Sequence, residues 1–266
     1  MSLSIMLVII GARAQDYTTQ TDVPYRTGRF SLKDPYANEM CKMDLYYPKQ
    51  QKEFATIYWI HGGGLKGGAK FFPKPFLDQG IAVVAINYRL IPKATPDEIL
   101  DDAAAGLAWV FDHIEEYGGS KQKVFVSGHS AGGYLVGMIA LAPQYLKKYG
   151  VDPNDVQGYM PLSGQMVTHS AVRELKGYSR TQPIINEYAP AHLVKADTPP
   201  FVLITGGRDL DVPARFEENA YFKSLMDQTG NTGVTLLELQ GFNHGTMVGP
   251  ATSIVVEYVN KILKNK

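Results

Sequence analysis

The segment Gly128-His129-Ser130-Ala131-Gly132 places a serine at the centre of a G-x-S-x-G pattern. It directly follows a strand-like run at 123–126 and precedes an apolar run at 134–140 that is compatible with a helix. A strand, a sharp glycine-lined turn and a helix together expose a serine hydroxyl at the top of a sheet. The pattern therefore predicts that Ser130 is a nucleophile. It also predicts that the N–H of Ala131, at the start of the helix, points at the reacting oxygen.

A serine hydroxyl is a weak nucleophile at neutral pH, so it needs a base, and the base needs an orienting acid. His244 is the predicted base, because it follows a strand-like run at 234–239 near the C-terminus, where the chain order serine, acid, histidine places it. The other five histidines lie in the glycine motifs, in a predicted helix or in the segment 165–200: His61, His129, His113, His169 and His192.

Two aspartates could supply the acid, and both follow a strand-like run at 201–205. Asp209 is nearer to the end of that strand, so it is the predicted partner of His244. Asp211 is the alternative, although it could instead cap the turn before Pro213.

The run His61-Gly62-Gly63-Gly64 follows another predicted strand. Successive glycines let the backbone approach a ligand closely and adopt angles that other residues avoid. A phosphate-binding loop would need a Lys-Ser/Thr ending, which is absent here. Beside a nucleophilic serine, the run is therefore interpreted as a source of N–H groups for a developing oxyanion.

The elements that must position these residues alternate between strand-like and helix-like runs. Six strands are predicted, at 43–47, 55–60, 81–87, 124–127, 201–205 and 234–239. A capping box, Thr95-Pro96-Asp97-Glu98, begins a helix with apolar residues at helical spacing as far as Ile114. This alternation predicts an α/β fold with a mostly parallel central sheet and helices on both faces.

The segment 165–200 fits the alternation poorly, because it is rich in proline and tyrosine and has only short helical patterns. A long connection in a compact domain is often a lid or a binding loop. We interpret this segment as a small cap insertion within a single domain, residues 15–266.

Composition narrows the classes of function. Lysine plus arginine and aspartate plus glutamate both number 26, so no basic excess is available for nucleic acid or an anionic membrane. Cys41 is the only cysteine, which excludes an intramolecular disulfide and a cysteine-based metal site. We expect a buried structural thiol at Cys41, and the predicted chemistry needs no metal or organic cofactor.

The N-terminus carries a short apolar run at 5–10, followed by Ala12-Arg13-Ala14 before Gln15. This resembles the end of a secretory signal peptide, although the usual positive charges before the apolar run are missing. The run is shorter than the roughly 20 apolar residues of a membrane-spanning helix. We therefore expect residues 1–14 to be the remnant of a signal peptide and the protein to be exported to the periplasm or the medium.

The motifs together resemble the α/β-hydrolase superfamily, in particular esterases of the hormone-sensitive-lipase and carboxylesterase type. The resemblance begins near residue 35 and rests on the segments 61–64, 87–90, 128–133, 209–213 and 243–245. It implies an oxyanion hole formed by Gly63, Gly64 and Ala131. The D-x-x-V-P pattern of the family matches Asp209. The sequence departs from the family at Leu65, where an aromatic residue is frequent, and lacks the large N-terminal helical cap of some members.

The resemblance implies a serine carboxylesterase that cleaves short-chain acyl esters through an acyl-enzyme. Its partner would be a small-molecule ester, which could be an acylated carbohydrate. An amide or formamide hydrolase similar to arylformamidases or peptidases is an alternative, because the same three side chains serve both reactions. A non-catalytic binding protein on the same fold is a further alternative. The sequence makes no prediction about oligomeric state.

Overall fold

The computed structural model describes residues 16–264, so the predicted signal-peptide remnant at 1–14 lies outside the described residues. The strands are β1 (Tyr17–Pro24), β2 (Lys42–Pro48), β3 (Phe54–Ile60), β4 (Ala82–Ile86), β5 (Gly119–His129), β6 (Tyr159–Leu162), β7 (Phe201–Gly206) and β8 (Val234–Leu239). The α-helices are α1 (Pro35–Met40), α2 (Pro96–His113), α3 (Ala131–Leu141), α4 (Pro143–Lys147), α5 (Ser170–Leu175), α6 (Arg215–Gln228) and α7 (Val248–Lys264). Short 3-10 helices occur at Gly28–Phe30, Lys74–Phe76, Ile114–Tyr117, Pro153–Asp155 and Pro190–His192.

The eight strands form one sheet in the order β1-β2-β4-β3-β5-β6-β7-β8. All pairings from β4 through β8 are parallel, whereas β1 and β2 join the edge in antiparallel fashion. The predicted fold class, an α/β fold with a mostly parallel sheet, is confirmed.

Both faces of the sheet are covered, and alternate residues of the central strands enter two separate apolar cores. In β3, Tyr58 and Ile60 pack into the core that contains α2 and α3, whereas Ile57 and Trp59 pack into the core that contains α7. Successive side chains of a strand point to opposite faces. A strand covered on both faces must therefore be apolar at nearly every position, as β3 is.

The six predicted strands are present, with bounds that differ by up to five residues, but the sequence analysis missed β1 and β6. The edge strand β1 is polar, with the sequence YTTQTDVP. The central strand β6 has only four residues and includes Pro161, a residue that argues against a central strand because it lacks an N–H. In the structure, Pro161 lies opposite Gly128 of β5.

The capping box at the start of α2 forms as predicted. The N–H of Glu98 donates to Thr95 Oγ1 (3.3 Å), and the N–H of Thr95 donates to Glu98 Oε2 (2.8 Å). The side chain of Asp102, further along α2, is fully buried and accepts from the guanidinium groups of Arg26 and Arg89. These ion pairs tie α2 to the segment before α1 and to the loop after β4.

The connection between β6 and β7 contains the predicted cap-like insertion at 165–200. Its regular structure consists of α5 and the turn at Pro190–His192. It is held to the body of the domain by Tyr134 of α3, whose hydroxyl donates to the carbonyl of Tyr188 (2.9 Å). No helix within residues 16–264 has the length and apolar character needed to cross a membrane.

Candidate active site

Ser130 lies at the sharp turn between β5 and α3. Its backbone has φ 57° and ψ −116°, a conformation that non-glycine residues adopt rarely and that is often found at functional sites. The turn brings α3 against β3 so closely that a Cβ atom on Gly132 would stand 2.0 Å from the carbonyl oxygen of Ile60. The predicted strand–turn–helix around Ser130 is therefore present, and the glycine at 132 is sterically required.

Three side chains at the carboxyl ends of the parallel strands β5, β7 and β8 form a hydrogen-bonded chain. His244, which follows β8, has Nε2 2.8 Å from Ser130 Oγ and Nδ1 2.6 Å from Asp211 Oδ1. Asp211 follows β7, and its side chain is almost fully buried, whereas the ring of His244 is partly exposed. The structure thus brings together a hydroxyl, an imidazole and a carboxylate in the order that acyl transfer requires.

The choice of Asp209 as the partner of His244 is wrong in this structure, because Asp211 occupies that position. The backbone after β7 folds into a tight turn in which the N–H groups of Leu210 and Asp211 both donate to the carbonyl of Gly207 (2.8 Å each). This turn directs the carboxylate of Asp211 back towards the strand end, where it accepts from the N–H of Gly206 (2.8 Å). Asp209 lies at the outer part of the turn and is exposed.

The carboxylate of Asp211 accepts several hydrogen bonds from the surrounding protein groups. Burial alone would raise its pKa, but hydrogen bonds from His244, the N–H of Val212, the hydroxyl of Ser163 and the N–H of Gly206 outweigh it and hold the pKa well below the usual range. An ionised carboxylate only accepts hydrogen bonds, so His244 Nδ1 must carry a proton. His244 Nε2 is then the acceptor that faces the hydroxyl of Ser130.

Ser163 is a member of this network that the sequence analysis missed. Its buried hydroxyl lies 2.8 Å from Asp211 Oδ2 and 2.9 Å from His244 Nδ1. Its position directly after a strand of the parallel sheet could have identified Ser163 as a candidate. That strand is β6, which the sequence analysis did not predict. Ser163 is held from both sides, since its N–H donates to Ile204 and its carbonyl accepts from the guanidinium of Arg215.

The glycine run ends beside Ser130. Gly63 and Gly64 have φ angles of 112° and 65°, and a Cβ on Gly63 would stand 2.0 Å from the carbonyl oxygen of Gly67. Among residues 16–264, neither the N–H of Gly63 nor that of Gly64 donates to a backbone carbonyl. Both glycines line the cavity that contains Ser130. Their N–H groups are therefore free of competing backbone bonds.

The loop before these glycines is braced by Tyr88, which belongs to the motif at 87–90. The hydroxyl of Tyr88 donates to the carbonyl of His61 (2.9 Å), and the two rings stack with centroids 4.5 Å apart. Burial lowers the pKa of His61 to about 4, so its ring is neutral at neutral pH. His61 supports the loop, as its place in the glycine motif predicts.

Known proteins resemble this chain in sequence or in fold. A family model described as BD-FAE matches residues 43–160. A protein of Mycobacterium tuberculosis named "Probable carboxylic ester hydrolase LipM" is 32% identical over 218 residues, which are 73% of this chain and 50% of that protein. The solved structure of a truncated carbohydrate esterase from gut microbiota superimposes with a TM-score of 0.75 at 20% identity, covering 95% of this chain and 98% of that one.

The chain has the α/β-hydrolase fold. The predicted resemblance to esterases is likewise confirmed. The solved structure of an inhibited esterase B from Lactobacillus rhamnosis has a TM-score of 0.73 at 20% identity, covering 94% of this α/β-hydrolase and 88% of that chain. The chain spans 42%, 23% and 50% of the length of three curated relatives that it matches.

His129 fixes the backbone of His244, the predicted base. Its Nε2 lies 2.8 Å from the carbonyl oxygen of His244. Burial, followed by the nearby His244, lowers the pKa of His129 to about 4, so the ring is neutral and can donate to that carbonyl. His129, which precedes Ser130, thus holds the backbone of His244 beside it.

Ser130 and His244 open into a cavity of about 970 Å³. The segment between β6 and β7 supplies much of its wall: Gln165, Val167, His169, Ser170, Arg173, Arg180, Thr181 and Pro183. The first turn of α6 adds Arg215 and Glu218. Within residues 16–264, no group of three or more His, Cys, Asp or Glu side chains is placed to hold a metal ion.

Proposed function

We propose that this α/β-hydrolase is a carboxylesterase in which Ser130 is the nucleophile, His244 the base and Asp211 the orienting acid. The observation that carries the proposal is the continuous chain of hydrogen bonds from Asp211 through His244 to Ser130, open to a cavity. The names of the relatives support the class of reaction, since LipM is named as a carboxylic ester hydrolase and the two solved structures as esterases.

In the proposed mechanism, His244 Nε2 takes the proton from Ser130 as the hydroxyl oxygen attacks the ester carbonyl. Asp211 then stabilises the imidazolium that forms. The imidazolium returns its proton to the leaving alcohol, which leaves an acyl group on Ser130. Water, deprotonated by His244, attacks the acyl carbon and regenerates the serine.

The negative charge that develops on the carbonyl oxygen needs preorganised donors. We assign this role to the N–H groups of Gly63, Gly64 and Ala131. The free N–H groups and positive φ angles of the two glycines support the assignment, as does the position of Ala131 at the first residue of α3. Removing one such donor typically costs about 100- to 1,000-fold in turnover.

We also propose that the acyl group is short. The cavity wall contains His169, Arg173, Arg215 and Glu218, and a long alkyl chain lying against it would strip water from these polar groups without replacing their hydrogen bonds. The expected order of kcat/KM is therefore acetate and butyrate esters above octanoate esters, with anilides slower than any of them.

A fluorophosphonate probe tests the assignment of the nucleophile. We expect wild-type protein to be labelled and the Ser130→Ala variant to remain unlabelled and inactive. Ser170→Ala is the matched control, because it removes a hydroxyl from the wall of the same cavity and should keep its labelling. Absence of labelling in the wild type would favour a non-catalytic binding protein, and an anilide cleaved faster than the esters would favour an amide hydrolase.

Export remains a proposal that rests on residues 1–14. Expression of the full chain in a bacterial host, followed by mass spectrometry of the periplasmic fraction, should yield a protein that begins at Gln15. Recovery of the intact chain from the cytoplasm alone would contradict it.

A further inference from the structure

Three arginines face the cavity that contains Ser130. Arg173 belongs to α5, Arg180 to the connection that follows it, and Arg215 begins α6. Arg173 and Arg215 are only 6% and 5% exposed, whereas Arg180 lies at the surface. Two buried guanidinium groups in one wall are unusual, because arginine is rarely buried without a partner.

The two buried guanidinium groups are held rigidly but are incompletely paired. Arg173 Nη1 donates to the carbonyl of Gln182 (2.6 Å), and Arg215 Nη1 donates to the carbonyl of Ser163. The Nε of each has no hydrogen-bond partner among residues 16–264. A guanidinium has five N–H donors, so each of the two groups has at least one donor without a protein partner in the described part of the chain.

Among the described residues that line this wall, Glu218 is the only carboxylate. Outside the wall, Glu174 lies 3.7 Å from Arg180, and the charge of Asp211 also acts on Arg215. Glu218 Oε2 also lacks a hydrogen-bond partner within residues 16–264, and burial raises the pKa of Glu218 although the charges of Arg215 and Arg173 lower it. Burial, followed by the positive charges of Arg215, Arg173 and Arg180, lowers the pKa of His169 to about 3. All three arginines line the same cavity as Ser130.

We infer that the substrate of this site is an ester that carries a carboxylate, which the guanidinium groups of Arg173, Arg180 and Arg215 bind while Ser130 attacks the ester carbonyl. A buried guanidinium without a full set of partners is costly. A carboxylate of the substrate would form charge-assisted hydrogen bonds with these groups, in the bidentate geometry that arginine favours. The inference rests on the proposed esterase function, because it concerns the substrate class of the same site.

Two pairs of rigid esters test the inference and separate the two ends of the substrate. In the first pair the alcohol part carries the charge: 4-acetoxybenzoate is compared with 4-acetoxybenzamide. In the second pair the acyl part carries it: phenyl 4-carboxybenzoate is compared with phenyl 4-carbamoylbenzoate. The para arrangement keeps the carboxylate from attacking its own ester. We expect kcat/KM to favour the charged member by about tenfold or more in at least one pair.

Arginine variants then locate the source of the preference. In Arg173→Gln and in Arg180→Gln, the ratio of kcat/KM for charged to neutral ester should fall several-fold, mainly through KM. Arg180 is exposed, so its variant remains informative if the buried Arg173 variant fails to fold. Arg29→Gln is the control for net charge, because Arg29 pairs with the partly exposed Asp112 and is not among the residues lining the cavity. It should leave the ratio unchanged.

The inference is overturned if the wild type prefers the neutral ester in both pairs, or if the arginine variants leave the ratio unchanged. Fluorophosphonate labelling of the wild type distinguishes these results from failure of the esterase proposal itself. A labelled enzyme without a preference for the charged ester contradicts the inference alone. An enzyme that is neither labelled nor active on any of the four esters sinks both.

Discussion

The exchange of Asp211 for asparagine should nearly abolish esterase activity, whereas the same exchange at Asp209 should not. The two oxygens of Asp211 have different partners. Oδ1 lies 2.6 Å from His244 Nδ1 and 2.7 Å from the N–H of Val212, and Oδ2 lies 2.8 Å from the N–H of Gly206. Both are thus occupied by donors, and an amide retains only one acceptor oxygen.

Either orientation of the new side-chain amide in Asp211→Asn would therefore fail. If its oxygen faces His244, its NH2 group confronts the N–H of Gly206 and the negative charge that stabilises the imidazolium is lost. If its NH2 group faces His244, Nδ1 must become the acceptor, which places the proton on Nε2 and leaves no base for Ser130. Loss of the correct tautomer in a Ser-His-Asp triad costs about 10,000-fold in kcat. At about 1.4 kcal/mol for each factor of ten, this corresponds to about 5.5 kcal/mol of transition-state stabilisation.

The assay is steady-state hydrolysis of p-nitrophenyl acetate, with active sites counted by fluorophosphonate titration and folding checked by circular dichroism. We expect Asp211→Asn to lower kcat/KM by about 1,000- to 10,000-fold and Asp209→Asn, which removes an exposed carboxylate from the same loop, to stay within about twofold of wild type. The reasoning is refuted if Asp211→Asn keeps more than a tenth of the activity, or if Asp209→Asn loses as much as Asp211→Asn.

Two further predictions concern the groups around this triad. Ser163→Ala removes a hydroxyl that bonds to both Asp211 and His244, so kcat should fall about tenfold or more with little change in KM. As the control, Ser127→Ala removes another buried hydroxyl and should leave kcat near the wild-type value. Equal effects of the two substitutions would argue against a positioning role for Ser163. Burial lowers the pKa of His61 from 6.5 to about 4 and that of His169 from 6.5 to about 3. As the pH falls, the unfolded chain therefore binds these protons before the folded protein does. The free energy of unfolding should decrease between about pH 6.5 and pH 4, by up to about 1.4 kcal/mol per pH unit for each histidine. His169→Asn, which keeps an acceptor at the start of α5, should remove one histidine's share of that slope in urea unfolding at pH 7 and pH 5, and an unchanged slope would contradict the assignment.

The sequence by itself determined the class of fold and pointed to Ser130 as the proposed nucleophile. Continuous apolar runs identify strands that are covered on both faces, because period-two alternation places every second side chain in a different core. The G-x-S-x-G run is informative for a similarly local reason. The close approach of α3 to β3 excludes a side chain at Gly132, so the motif records a steric requirement within a few residues of Ser130. His244 was identified because it follows a predicted strand near the C-terminus.

Only the tertiary structure decided which carboxylate meets His244 and which groups surround it. Asp209 and Asp211 lie two residues apart after the same strand, and the choice depends on the turn at Gly207, whose carbonyl accepts two N–H groups and directs Asp211 inward. Ser163 was hidden because its strand is short and contains proline. The convergence of Arg173 and Arg215 joins segments 42 residues apart (215 − 173) that share no sequence pattern. Local sequence patterns reflect local backbone sterics and burial. Contacts between residues that are distant in sequence depend instead on the paths of the loops, which a single sequence does not specify.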